Sequence, residues 1–247
     1  MNPFRFVCAL AMLAFAACTA PAPAAPQADA TQAAQTRTSA SPPLVAAARR
    51  QIGVTKHYDP AYVQLRYPGG DVPIDRGVCT DVIVRALRTH GLDLQQAIHQ
   101  DMRAHFAAYP QHWGLTGPNR NIDHRRVPNQ MRWFDRQGWS RPITARAGDY
   151  GPGDIVAWRL TGSGLLHIGL VSDRSTRSGV PLIIHNIGSG TQEEDLLFKH
   201  IIIGHYRPLL ATNYRLGETK PFRTKETCHS ERSEESACAP AFERTER

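Results

Sequence analysis

Cysteine is nearly absent from the body of this chain. Of five cysteines in 247 residues, Cys8 and Cys18 lie in an N-terminal apolar stretch and Cys228 and Cys238 in a charged C-terminal one, which leaves Cys79 alone between them. A single core thiol excludes an internal disulfide framework, so Cys79 is either a buried hydrophobe or a reactive group. Apolar runs are short as well: the N-terminal one, Phe6 to Ala17, cannot span a bilayer as a helix. Internal repeats are missing, which excludes a solenoid or a propeller. The set His124, His167 and His185 lacks the short ligand spacing of zinc motifs, and a metal there would leave Cys79 without a role. No metal and no cofactor is expected.

Positive charge exceeds negative by 7. The excess sits between residues 44 and 220, where Lys and Arg number 22 and Asp and Glu 15. A basic body suits an anionic partner such as cell wall or a membrane face, while the scatter of its basic residues argues against nucleic acid. Arg5, the apolar run and Ala16-Ala17-Cys18 together read as an export signal over 1–17. Leu13-Ala-Phe-Ala-Ala-Cys18 resembles a bacterial lipoprotein signal, in which the cysteine is lipidated and begins the mature chain, although Phe15 stands where that signal usually has Leu. An ordinary signal cut near Ala16 or Ala17 is the alternative. The expected location is periplasm or envelope, with an outer-membrane anchor at Cys18 as the sole membrane contact. Residues 18–43 are Ala, Pro, Gln, Ser and Thr with little to offset ordering entropy, and read as a tether. Residues 221–247 read as a disordered tail, in which Cys228 to Ser236 resembles a peptide translated from bacterial interspersed repeats.

One domain, 44–220, remains. Leu44, Val45, Ala48 and Ile52 share a helical face that ends at Gly53, and Val82, Ile83, Ala86 and Leu87 form a stripe in a helix that begins at or just after Cys79 and stops at Gly91. Helical spacing recurs over Asp93–Tyr109 and Asn129–Gln137, inside a segment of about 92–147. From Pro152 the period changes to two, predicting strands at 154–160, 165–171, 182–187 and 201–207. Helices first and a small antiparallel sheet second make an α+β fold.

A thiol is a nucleophile as thiolate, and a helix start favours that anion, so Cys79 is expected to titrate below a free cysteine. The apolar strands around 167 and 185 each carry a histidine, which needs a polar partner there. A simple hairpin centred on Thr176 would set His167 opposite His185, with about 5 Å between Cβ atoms. That predicts a triad: Cys79 attacks, His167 takes its proton, His185 orients His167, and the backbone N–H of Cys79 with a neighbour meets the oxyanion. His124, Arg125 and Arg126 are candidate ligands for a substrate carboxylate, joined by Asn186 and by Asp81, which also suits the helix dipole. Glu193, Glu194 and Asp195 read as an exposed acidic turn.

Cys79 at a helix start, Pro152-Gly-Asp-Ile-Val-Ala-Trp158, His167-Ile-Gly-Leu-Val171 and Ile184-His-Asn186 resemble the successive blocks of the NlpC-type papain-like cell-wall peptidases, over roughly Leu44 to Arg207. The resemblance implies a papain-like fold, the same roles for Cys79, His167 and His185, and an amide of the peptidoglycan stem, or another envelope amide, as substrate. Two rivals remain: an acyl transferase or lipid amidase on the same scaffold, and a non-catalytic wall-binding module. Asp75 to Asp81, Asn121 to Asn129 and Gln192 to Asp195 are similar to an uncharacterised bacterial family, domain of unknown function 1287. Val78-Cys-Thr-Asp81 departs from the Asp-Cys-Ser-Gly usual in the peptidases. The segment 92–147 lengthens the Cys79–His167 interval and lies where it would wall a substrate site.

Overall fold

The computed structural model describes residues 41–210. The signal with Cys18, most of the tether and the C-terminal tail lie outside the described residues. At the centre is helix α2 (Cys79–Arg88), of which nine of ten residues are buried. A helix covered on nearly every side belongs in the middle of a fold, and its buried polar groups must find partners. They do: Thr80 Oγ1 donates to the Arg125 carbonyl at 3.0 Å, and Arg85 grips both oxygens of Asp71 at 2.9 and 3.1 Å. Helix α1 (Pro43–Arg49) buries Leu44, Val45, Ala47 and Ala48 in the same core. Gln51 fastens the turn after it to the Val82 carbonyl at 3.0 Å.

The long segment before the sheet carries α3 (Leu94–His105) and α4 (Val127–Arg136). Asp93 caps α3 by accepting from the Gln95 N–H at 3.2 Å. Leu94, Ile98 and Met102 of α3, and Trp133 and Phe134 of α4, extend the core of α2 rather than form one of their own.

Two strands precede α2: β1 (His57–Tyr58) runs parallel to β2 (Arg76–Gly77), with Tyr58 opposite Gly77. The main sheet has five antiparallel strands, β3 (Ile155–Arg159), β4 (Leu166–Ser175), β5 (Pro181–Asn186), β6 (Thr191–Glu194) and β7 (Ile201–Tyr206), in the order β6-β5-β4-β3-β7. The fold is α+β, and the four predicted helices and four predicted strands are present. Alternation divides the sheet into two faces. Ile155, Ala157, Ile168, Leu170 and Ile184 join the helical core, whereas Val156, Trp158, Val171, Ile183 and Leu197 pack on the other side.

Two differences from the sequence reading bear on the site. Residues 191–194 form an edge strand, β6, and not an exposed turn. The β4–β5 hairpin is also slipped. Its tight turn spans Thr176 to Val180, with Gly179 at φ 82°, and an irregularity between Val171 and Ser175 leaves Leu170 opposite Ile184. Continuing that register puts Gly169, and not His167, across from His185; a Cβ on Gly169 would come 3.1 Å from His185 Cβ. A slip of two residues preserves the face of every side chain, so the two histidines meet diagonally.

Candidate active site

The ring of His167 lies on the Trp158 side of the sheet, its centroid 6.0 Å from the indole. His167 Nε2 is 3.1 Å from His185 Nδ1, and His185 Nε2 is 3.1 Å from Glu194 Oε2. One tautomer pattern satisfies this chain. Glu194 accepts only, so His185 carries its proton on Nε2 and presents a bare Nδ1; His167 then donates from Nε2 and keeps a bare Nδ1. No other hydrogen bond engages the His167 ring among the described residues.

Glu194 is the member that the sequence reading missed. Thr-Gln-Glu-Glu is too polar and too short to read as a strand, yet four residues rich in Gly and Ser separate Asn186 from Thr191, and these two are paired. That is hairpin spacing. Glu193 points to the opposite face and joins α1 to the sheet by accepting from Arg49 Nη2 at 2.8 Å.

Cys79 is the first residue of α2 and is 4 % exposed. Its sulfur accepts from the backbone of Ile168, Thr80 and Cys79 itself, each of which favours the thiolate, but burial outweighs them and the thiol is pushed up to about 12. The sulfur thus meets the backbone of the residue next to His167, while the His167 ring lies on the opposite, Trp158 face of the sheet, so the structure brings together the two histidines of the expected triad but not the thiol and the imidazole. Burial, reinforced by His185 and His200, also drives His167 down to about 3. At neutral pH both groups are uncharged, which corrects the expectation of a low-titrating thiol.

A cleft of about 290 Å³ opens beside Cys79. Tyr58 stands in it, its phenol held protonated by burial first and by Cys79 second. Pairing with Gly77, two residues before the cysteine, fixes Tyr58 there; a tyrosine in a loop-like run gave no signal of this in the sequence. Trp113, Ile122, Arg126 and Pro128 come from the 92–147 segment, so that segment does wall the cleft.

Most of the predicted substrate ligands have other engagements. Asp81 is 3 % exposed; it accepts from the Val78 N–H at 2.7 Å and from Arg125 Nε and Nη2 at 3.0 Å each. Arg125 spends its remaining capacity on the carbonyls of Ala61 and Asp59, at 3.1 and 3.2 Å. Asn186 is buried and donates to the Gly77 carbonyl at 3.0 Å. His124 is 2 % exposed, does not line the cleft, and is driven down to about 3 by burial. Arg126 alone of this group keeps donors for a ligand.

A family model described as domain of unknown function (DUF1287) matches residues 45–208. The chain belongs to this family. An uncharacterized protein of Escherichia coli strain K12, YijF, is 60 % identical to it over 160 residues, covering 65 % of this chain and 78 % of the relative. No solved structure matches. The DUF1287 match spans the thiol, both histidines and Glu194, and so contains the whole candidate site.

The thiol of this DUF1287 domain makes a direct prediction. With the folded value near 12 against 9.0 for a free cysteine, the native protein holds about 10³-fold less thiolate at neutral pH than its unfolded chain. Iodoacetamide labelling of Cys79, read on its own peptide by mass spectrometry, is expected to be slower than in urea by at least that factor. The rate should climb about tenfold per pH unit above pH 8. Equal rates at pH 7 in the folded and unfolded states would show that the resting thiol is already ionised.

Proposed function

We propose that this chain is an exported cysteine hydrolase, papain-like and of NlpC type, that cleaves an amide of the peptidoglycan stem through a thioester. The observation that carries the reading is the Glu194–His185–His167 relay on the strand whose next residue, Ile168, meets through its backbone a thiol at a helix start. The signal-like run before Cys18 and the excess of basic residues in the sequence support an envelope location and an anionic wall substrate.

On this reading substrate displaces the sulfur from the Ile168 N–H, and the start of β4 turns to bring the His167 ring from the Trp158 face to the sulfur. As Sγ bonds to the amide carbon, its proton passes to Nδ1, and the oxyanion is met by the Cys79 N–H and the Tyr58 hydroxyl. The imidazolium gives that proton to the leaving amine as the C–N bond breaks. Water then adds to the thioester, its proton going to His167, and the carboxylate leaves as the thiol reforms. Because thiol and imidazole start neutral, the proton moves during attack and not before it.

Muropeptides incubated with the purified protein are expected to give fragments separated by one added water, seen by mass spectrometry. An acceptor other than water in the product would assign transfer instead. Tyr58→Phe is expected to lower kcat by about 10²-fold, the usual worth of one oxyanion donor, with KM little changed. An unaffected kcat would remove Tyr58 from the mechanism. The neutral, buried thiol favours a second reading, a wall-binding module without turnover, for which the same incubation yields binding and no new fragment.

A further inference from the structure

The cleft beside Cys79 is lined by apolar and aromatic side chains together with two arginines, and no carboxylate lines it. The arginines are not equivalent. Arg125 has every guanidinium nitrogen committed to Asp81 or to backbone carbonyls. Arg126 is committed at one nitrogen only: Nη1 donates to Asp123 Oδ1 at 3.3 Å. Its guanidinium carbon lies 4.0 Å from the centroid of the Trp113 ring, which covers one face. Asp123 is 1 % exposed, and its second oxygen accepts from the Asn119 N–H.

The Arg126 side chain is 17 % exposed. No hydrogen bond among the described residues engages its Nε–Nη2 edge. That edge is the fork that fits a carboxylate with two parallel hydrogen bonds. Asp123 and the indole fix the plane of the fork, so little side-chain entropy remains to be lost when a ligand arrives. Burial works against the charge of Arg126 and Asp123 offsets it only in part. A second anion would complete the compensation.

We infer that the cleft selects substrates bearing a free carboxylate close to the scissile amide, held on the Nε–Nη2 edge of Arg126 while the neighbouring apolar part lies against Trp113, Ile122 and Leu166. This deepens the hydrolase reading and rests on it for the position of the scissile bond. An amide whose neighbouring carboxylate has been converted to a carboxamide is the substrate that this site discriminates against. It would leave the arginine fork without an acceptor.

The test separates binding from chemistry. Full-length Cys79→Ala is titrated by calorimetry with N-acetyl dipeptides, each prepared as the free acid and as the carboxamide at its C-terminus and, where present, at its side-chain acid. At least one acid is expected to bind about tenfold or more tighter than its carboxamide. The preference should collapse to near unity in Cys79→Ala/Arg126→Gln and recover only partly with Arg126→Lys, which restores the charge without the fork. Equal binding of every acid and its amide, no binding of any acid, or a preference that survives Arg126→Gln overturns the inference. An unchanged melting temperature in Arg126→Gln is part of the expected result, and a collapse of the fold with loss of binding in both Gln and Lys variants counts against it. Turnover by the wild-type protein is scored separately. Preference without turnover sinks the hydrolase and leaves the carboxylate site standing, while turnover without preference does the reverse.

Discussion

Cys79→Ala and His167→Ala are each expected to reduce amide hydrolysis by at least about 10³-fold while leaving the melting temperature within a few degrees of wild type. Cys79→Ala removes only a sulfur from the start of α2, and the backbone donors around it belong to α2 and β4, which have their own hydrogen bonds. On the hydrolase reading His167 supplies the bare Nδ1 that takes the thiol proton once its ring leaves the Trp158 face. The members further out should cost progressively less. His185→Ala takes away the acceptor that keeps the His167 proton on Nε2, which predicts a loss of about 10²-fold or more. Glu194→Gln keeps an oxygen that can accept from His185 and should cost only about tenfold; Glu194→Leu keeps none and should approach the His185 variant. This graded order, measured as kcat on a common muropeptide, distinguishes a proton relay from a packed cluster. A packed cluster would instead give losses that follow burial, with the half-exposed Glu194 silent under either substitution. Full activity in either Cys79→Ala or His167→Ala would end the hydrolase reading.

The elements were legible because the chain states them in the simplest physical terms. The stripe in α2, the helical spacing from Asp93 to Tyr109 and the switch of period at Pro152 each correspond to an element within a few residues of its expected bounds. Pairing was less legible. Register depends on where a turn closes, and the irregularity between Val171 and Ser175 leaves no mark in the alternation, so the sequence does not state the diagonal meeting of His167 and His185. Charge was misread for a related reason. Glu194 resembled any solvated acidic residue until β6 was seen to return along β5 and aim it at a buried imidazole. The thiol is the opposite case: a helix start favours ionisation, but the sequence does not measure how deeply the sulfur is covered, and burial decides the sign. The Asp-His-Arg-Arg run was attractive as a cluster, yet its consecutive side chains point to different surroundings. His124 goes into the interior, Arg125 to Asp81 and Arg126 to the cleft.

Severing the Asp81–Arg125 pair is expected to give the largest loss of stability of any single change near the site. Both side chains are almost wholly enclosed, 4 % and 2 % exposed, and their two parallel contacts are 3.0 Å each. Asp81→Asn or Arg125→Met leaves one charged or polar partner buried without its counterpart, which costs about 3–5 kcal/mol, or a fall in melting temperature on the order of 10 °C for a domain of this size. Replacing both, as Asp81→Leu with Arg125→Met, removes the stranded charge and is expected to recover a large part of that loss. Full recovery is not expected, because Asp81 also accepts the Val78 N–H and Arg125 also holds the Asp59 and Ala61 carbonyls. Those carbonyls lie one and three residues after Tyr58 in the chain, so the pair ties the helix that carries the thiol to the segment that carries the phenol. A double variant that melts near wild type should therefore still show the kcat loss of Tyr58→Phe. If it regains stability and full turnover together, the pair serves the fold alone, and Tyr58 keeps its place by the β1–β2 pairing without help from Arg125.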